Sequence, residues 1–233
     1  MRLILSGEGK TDIGQNVPTE AGWEFQPGPM AMIVYSLLKT KGISGETIRF
    51  VHESELSQFA KQGPTKLAGI RYGKGTAVFT RNAQVLGLLA KKDREESNQP
   101  VLAILFRDAD STHSSSRHEW QEKFDSIVRG FELVEFDAGV PMVPRPKSEA
   151  WLLCGLKQSP YVGCAELENA PGNDNSPKSL KRKLTELVGH EPTADEQAEW
   201  IKSGRINPTE VNMPSFIAFH NVLKSAIANA SDK

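Results

Sequence analysis

The chain predicts an α/β fold, a mostly parallel sheet flanked by helices with an added C-terminal helical segment. Three observations predict it. Short apolar runs with strand character alternate with segments of helical period up to Leu156, in the order β-α-β-α-β-α-β-α. One run, Pro100-Val-Leu-Ala-Ile-Leu-Phe106, is apolar throughout, as a parallel strand covered on both faces must be. Beyond Ser159 the alternation gives way to a Gly/Asn/Pro linker and further helical stretches. Residues 1–157 therefore read as one core and 158–233 as a helical extension packed on it, with right-handed crossovers joining the strands.

The elements follow in order. Leu3 to Ser6 is the first strand. Thr19 to Pro29, with Pro18, Pro27, Gly28 and Pro29, is too broken for a helix and reads as a loop into the helix Met30 to Leu38, which Gly42 and Gly45 end. Thr47 to Val51 is short and β-branched, a second strand. Residues 54–75 are polar, broken by Gly and Pro, and carry Lys61, Lys66, Arg71 and Lys74. Thr76 to Lys92 has a helical period, and Asp93 to Gln99 reads as a charged loop. The strand ending at Phe106 is followed by a hydrophilic loop, Ser111 to Ser116. Arg117 to Gly130 is a helix closed by Gly130, Leu133 to Phe136 a strand, and Val140 to Val143 an extension of the sheet edge, where prolines are tolerated. A helix starts near Lys147. The extension then supplies a basic helix (Lys178, Lys181, Arg182, Lys183), an acidic stretch from Asp195 to Glu199 and a last helix bearing Phe216 and Phe219.

Composition narrows the classes. The 233 residues are 38% hydrophobic and 24% charged, with net charge -1, so any nucleic-acid contact must come from a local patch. The two cysteines, Cys154 and Cys164, do not make a disulfide framework and form no C-x-x-C zinc pattern. There is no signal-peptide-like apolar core, and no apolar stretch approaches the ~18 residues of a membrane span. The expectation is a soluble protein of a reducing, cytoplasmic compartment with no membrane partner.

The chemistry lies where strands end. The first strand runs into Gly7-Glu8-Gly9-Lys10-Thr11-Asp12, and the apolar strand ends in Asp108-Ala109-Asp110. In open α/β sheets ligands bind at the C-terminal strand edge. Carboxylates meeting there repel one another unless a cation lies between them, and an all-oxygen set suits Mg2+ or Mn2+. Gly9-Lys10-Thr11 has Ile4 where a Walker A loop needs its first glycine, so it does not wrap phosphates. The glycines free the backbone for a tight turn that projects Glu8, or leave Glu8 solvated in a loop. Asp108 and Asp110, two apart, point the same way in extended backbone. Lys147-Ser148-Glu149 either caps a helix or brings Lys147 and Glu149 to the same edge, Glu149 as a further metal ligand and Lys147 as a stabiliser of transition-state charge. His113 reads as a surface-loop residue or a proton shuttle. The basic helix contacts phosphates or is a solvated face.

Glu8-Gly9-Lys10-Thr11-Asp12 after one strand and Asp108-x-Asp110 after another resemble the Toprim domain, shared by topoisomerases, bacterial primases, recombination mediators and the overcoming-lysogenization-defect (OLD) nucleases. With Pro146-Lys147-Ser148-Glu149-Ala150-Trp151, the likeness extends over most of the chain and is closer to small stand-alone Toprim proteins found beside ATPase genes in bacterial defence loci. The resemblance implies a Toprim-like core and Mg2+- or Mn2+-dependent hydrolysis of phosphodiester bonds in DNA or RNA. It implies Glu8 as metal ligand and general acid/base, Asp12 as a second acid on an adjacent turn of one helix face, Asp108 and Asp110 as the acidic pair, and Lys147 and Glu149 as the late lysine and acid. A separate ATPase subunit is the implied partner, and homo-oligomerisation stays open. A non-catalytic sensor or binding subunit of an ATPase complex is the rival reading, and a phosphoacceptor-type receiver or hydrolase a third.

Overall fold

The computed structural model describes residues 1–7, 9, 11–20, 22–62, 67, 76–109 and 117–231. Along the core the elements are β1 (Arg2–Gly7), a hairpin of β2 (Gly14–Thr19) and β3 (Gly22–Pro27), α1 (Pro29–Lys39), β4 (Glu46–His52), α2 (Glu53–Gln62), α3 (Ala77–Ser97), β5 (Val101–Phe106), α4 (Arg117–Leu133), β6 (Gly139–Met142) and α5 (Ser148–Leu156). The extension adds a 3-10 turn at Cys164–Asn169, α6 (Leu180–Val188), α7 (Ala194–Lys202) and α8 (Pro214–Ser231).

The α/β class and the parallel sheet hold. Four strands run in the order β4-β1-β5-β6, every pairing parallel. β5 is buried at all its positions, and the proline-bearing β6 is an edge strand. From β1 the chain goes to β4 on one side, then returns across β1 to β5 on the other. β1 and β5 therefore flank the topological switch point, and their C-terminal ends open into its crevice.

Helices cover both faces. α3 and α4 pack on each other and on β5 and β6, while α7 lies on α1, α6 on α5, and α8 on β5 and β6. The centre of the extension's contact is Trp151, fully buried, with ring centroids 4.9 Å from Phe216 and 5.5 Å from Phe219. Its Nε1 donates to Ser215 Oγ at 2.9 Å. Among the described residues no helix is long and apolar enough to cross a membrane.

Several elements depart from the sequence reading. The supposed loop before α1 holds the β2–β3 hairpin, whose Phe25 ring lies 6.0 Å from Phe50. Thr11–Ile13 is a turn into that hairpin, so Asp12 is not on a helix face. Part of the polar stretch forms α2. α3 continues through the charged loop because its charges find partners: Asp93 takes Arg2 at 2.8 Å, Lys92 lies 3.6 Å from Glu96, and Arg94 stacks over Phe136. Asn98, in the left-handed region at φ 52°, ends it. Gly130 does not close α4 but lies within it, where a Cβ would fall 2.4 Å from Thr80 O of α3. Leu133–Phe136 is therefore the end of α4 and a turn, with Glu135 at φ 52°, and not a strand. The cysteine reading is also corrected. Cys154 and Cys164 form a disulfide that ties α5 to the 3-10 turn, a single bridge that no spacing motif announced.

Candidate functional site

The hydrogen-bond ladder between β5 and β6 runs past both strands. Arg107 N donates to Met142 O at 3.0 Å and Ala109 N to Pro144 O at 3.1 Å, which fixes Asp108 beside the segment leading into α5. α4 braces this edge from below: Trp120 Nε1 donates to Val143 O and Lys123 Nζ to Ala109 O. The segment is tied to the extension too. Arg145 lies 3.6 Å from Glu168 Oε2, and Glu168 Oε1 accepts from Ser215 N at 2.7 Å.

α5 begins at the crevice. Lys147 is its N-cap residue and makes no side-chain cap, so orphan amides of the first turn need other acceptors. Asp108 supplies one: its Oδ1 accepts from Ser148 N at 3.0 Å. Ser148 Oγ turns the other way and donates to Asp12 Oδ1 at 2.6 Å, while Thr11 Oγ1 donates to Asp12 Oδ2 at 3.3 Å. Ser148 thus joins the acid after β1 to the acid after β5. Gly9 belongs to the same packing, since a Cβ there would fall 2.8 Å from Asp12 Oδ2.

These carboxylates are crowded. Burial pushes the Asp108 carboxyl well above the usual carboxylate range, and the charges of Asp12 and Glu149 push it further. Burial also raises Asp12, against hydrogen bonds from Ser148 and Thr11 and the charge of Lys147. Glu149 is raised by burial first and then by Asp12. Glu149 Oε2 is buried and has no hydrogen-bond partner. Such carboxyls are the groups a cation would bring to full charge.

A cavity of about 460 Å³ opens over them, lined on one side by Asp12, Asp108, Lys147 and Glu149 and on the other by Asp174, Lys181, Glu191 and Gln197 of the extension. Lys147 Nζ donates to Asp174 Oδ1 at 2.8 Å, and Lys181 Nζ lies 2.6 Å from Glu191 Oε1.

Of the residues that the sequence singled out, Asp12, Asp108, Lys147 and Glu149 share this cavity. Glu8, Lys10, Asp110 and His113 lie outside the described residues. Ser148 was missed as a site residue because it read as a helix cap. Asp174, Glu191 and Gln197 were missed because nothing in the linker, the turn after α6 or the acidic stretch marks them. Among the described residues no group of three His, Cys, Asp or Glu side chains is gathered tightly enough to hold a metal ion. The donor set nonetheless fits a hard cation: every acid is an oxygen donor, and Glu149 Oε2 has nothing else to bind.

No family model matches the chain, and no curated protein and no solved structure matches it either.

Proposed function

We propose that the chain is a Toprim-type, metal-dependent nuclease that hydrolyses phosphodiester bonds in DNA or RNA. The observation that carries this reading is the joining of Asp12 and Asp108 through Ser148 at the switch point, with Glu149 Oε2 buried and without a hydrogen-bond partner beside them. Asp12, Asp108 and Glu149, with Glu8 and Asp110 of the strand-end motifs, would hold Mg2+ or Mn2+. A bound ion of this kind polarises a phosphoryl oxygen and lowers the pKa of its water. Lys147 presents its ammonium to the cavity, where it stabilises charge growing on the phosphoryl and leaving oxygens. Ser148 keeps Asp12 turned inward. Glu8 is the general acid/base of the reading.

The test is incubation of purified protein with plasmid DNA and with RNA in Mg2+ or Mn2+. Cutting is expected in one or both, and Asp108→Ala and Asp12→Ala lower it about 100-fold or more, the scale for lost charge stabilisation at a reacting centre. Undiminished cutting in both variants removes this site from the reaction. A defence role beside a separate ATPase in the cytoplasm belongs to the same proposal. In that compartment the Cys154–Cys164 bridge would be held open.

The rival is a non-catalytic sensor or binding subunit acting with a partner ATPase. Calorimetry separates the two: folded protein that takes up neither Mg2+ nor Mn2+ supports the rival.

A further inference from the structure

We infer that Lys181, supplied by the C-terminal extension, binds a substrate phosphate at this site, and that Glu191 holds its place when no phosphate is there. The inference rests on the nuclease reading for the identity of the substrate, and on the cavity for the position of the phosphate.

α6 carries the basic run Lys181-Arg182-Lys183, and its orientation sorts those residues. Leu180 and Leu184 are buried, which turns one face of the helix to the protein. Lys181, itself half-exposed, lines the cavity, whereas Arg182 pairs with Glu186 on its own helix at 3.0 Å and Lys183 is not among the lining residues. Lys181 shares that cavity with Asp108, Glu149 and Asp174, and its ammonium is paired with Glu191. Lys147 faces the same space from the core side. The cavity therefore has a cation on each wall.

Both cations are engaged by acids that have no other evident task. Glu191 and Asp174 are 67% and 51% exposed, and both lie in loops flanking α6. Ion pairs to such exposed carboxylates are weak and easily exchanged. A phosphate oxygen offers the same charge-assisted acceptor to a lysine and adds further oxygens. Five carboxylates line the cavity against two lysines, so an incoming phosphodiester is repelled while Asp174 and Glu191 stay on those lysines. Exchanging them for the substrate gives the phosphate both ammonium groups and lets the two exposed carboxylates turn to solvent, without moving a helix. The start of α7 is not a competing anion site, because Thr193 Oγ1 already accepts from Glu196 N and Asp195 and Glu196 fill the first turn.

The alternative is a structural staple between α6 and the loop after it. The two readings give opposite signs for one pair of variants. The probe is a labelled single-stranded DNA oligonucleotide, followed by fluorescence anisotropy with the full chain in Ca2+ at several salt concentrations. A phosphate contact predicts that Lys181→Ala weakens binding about 5- to 10-fold and reduces the slope of log K against log salt by about one. Glu191→Gln then tightens binding, Lys181→Arg retains most of it, and Arg182→Ala stays close to the unaltered protein. Lys181→Ala and Glu191→Gln shifting binding in the same direction, or neither shifting it, overturns the inference, as does unaltered protein that binds no oligonucleotide. Opposite shifts in a protein that cuts nothing keep the phosphate contact and reject the nuclease. Cutting without opposite shifts does the reverse.

Discussion

Ser148 Oγ donates a 2.6 Å hydrogen bond to Asp12 Oδ1, across 136 positions of the chain. The same residue's amide donates to Asp108 Oδ1. Ser148 touches no cation in the proposed site, yet it sets the direction of one carboxylate and satisfies the other. Partners of this kind are worth about 10- to 100-fold in metal affinity. Ser148→Ala is therefore expected to lower Mn2+ affinity about 10-fold by calorimetry. The amide's hydrogen bond to Asp108 remains in that variant, while Asp12 Oδ1 loses its donor, so stability should fall by about 1 kcal/mol. Ser148→Thr keeps the hydroxyl and should recover affinity. Equal affinity in the alanine variant would show that Asp12 is oriented by something else.

The pH dependence of the metal-free protein follows from the raised carboxyls. Asp108 and Asp12 rise from an ordinary value of 3.8, and Glu149 from 4.5. A carboxyl whose folded pKa lies above its unfolded one is ionised more readily in the unfolded chain. Stability is thus lost as pH climbs from the unfolded value towards the folded one, and levels off above it. In EDTA, the difference in melting temperature between Asp108→Asn and the unaltered protein should be near zero in acid and favour the variant at neutral pH. A gain on the order of 1 kcal/mol corresponds to about 2–4 °C for a chain of this size. A variant that melts lower at neutral pH than in acid, relative to the unaltered protein, would contradict the cost assigned to the buried charge.

What the sequence disclosed depended on range. β1 and β5 were legible because a buried parallel strand must be apolar over a short run, and β4, an edge strand, because its short run is β-branched. Strand direction sets Asp108 and Asp110 against the loop after the first strand, while Asp12 within that loop is singled out by the likeness to the OLD-type motif. The β2–β3 hairpin was not legible, since its strands are half exposed and interrupted by Pro18, so periodicity is weak. The strand assigned to Leu133–Phe136 failed for a tertiary reason: α3 passes so close to Gly130 that the glycine belongs inside the helix. Half of the cavity comes from Asp174, Lys181 and Glu191, whose arrival depends on how α6 and α7 dock, and local sequence carries no signal for docking.

Glu168 anchors that docking. It is 3% exposed, faces Arg145 at 3.6 Å and accepts from Ser215 N at the start of α8. Removing one partner of a buried ion pair costs about 3–5 kcal/mol, mostly from the charge left behind. Glu168→Ala is expected near the lower end of that range, about 3 kcal/mol by urea unfolding, because Arg145 keeps some solvent contact. Glu168→Gln retains an acceptor for Ser215 N and should cost less. Equal losses would mean that packing, and not the charge or the cap, is what Glu168 provides.

Cys154 and Cys164 are both buried, and their bridge closes a short loop of sequence separation 10 between α5 and the turn that carries Glu168. A loop of that size stabilises by about 2–3 kcal/mol through the unfolded chain. The double variant Cys154→Ala/Cys164→Ala should lose that amount, and reduction with dithiothreitol should bring the unaltered protein to a similarly lowered melting temperature. Because the bridge lies on the far side of Trp151 from the carboxylates in sequence, its loss should lower stability more than Mn2+ affinity. Thiol titration in denaturant gives the direct check: protein isolated without reductant should show no free thiol until it is reduced. Two free thiols in that protein, with a melting temperature indifferent to dithiothreitol, would mean that the cysteines are packed neighbours without a bond.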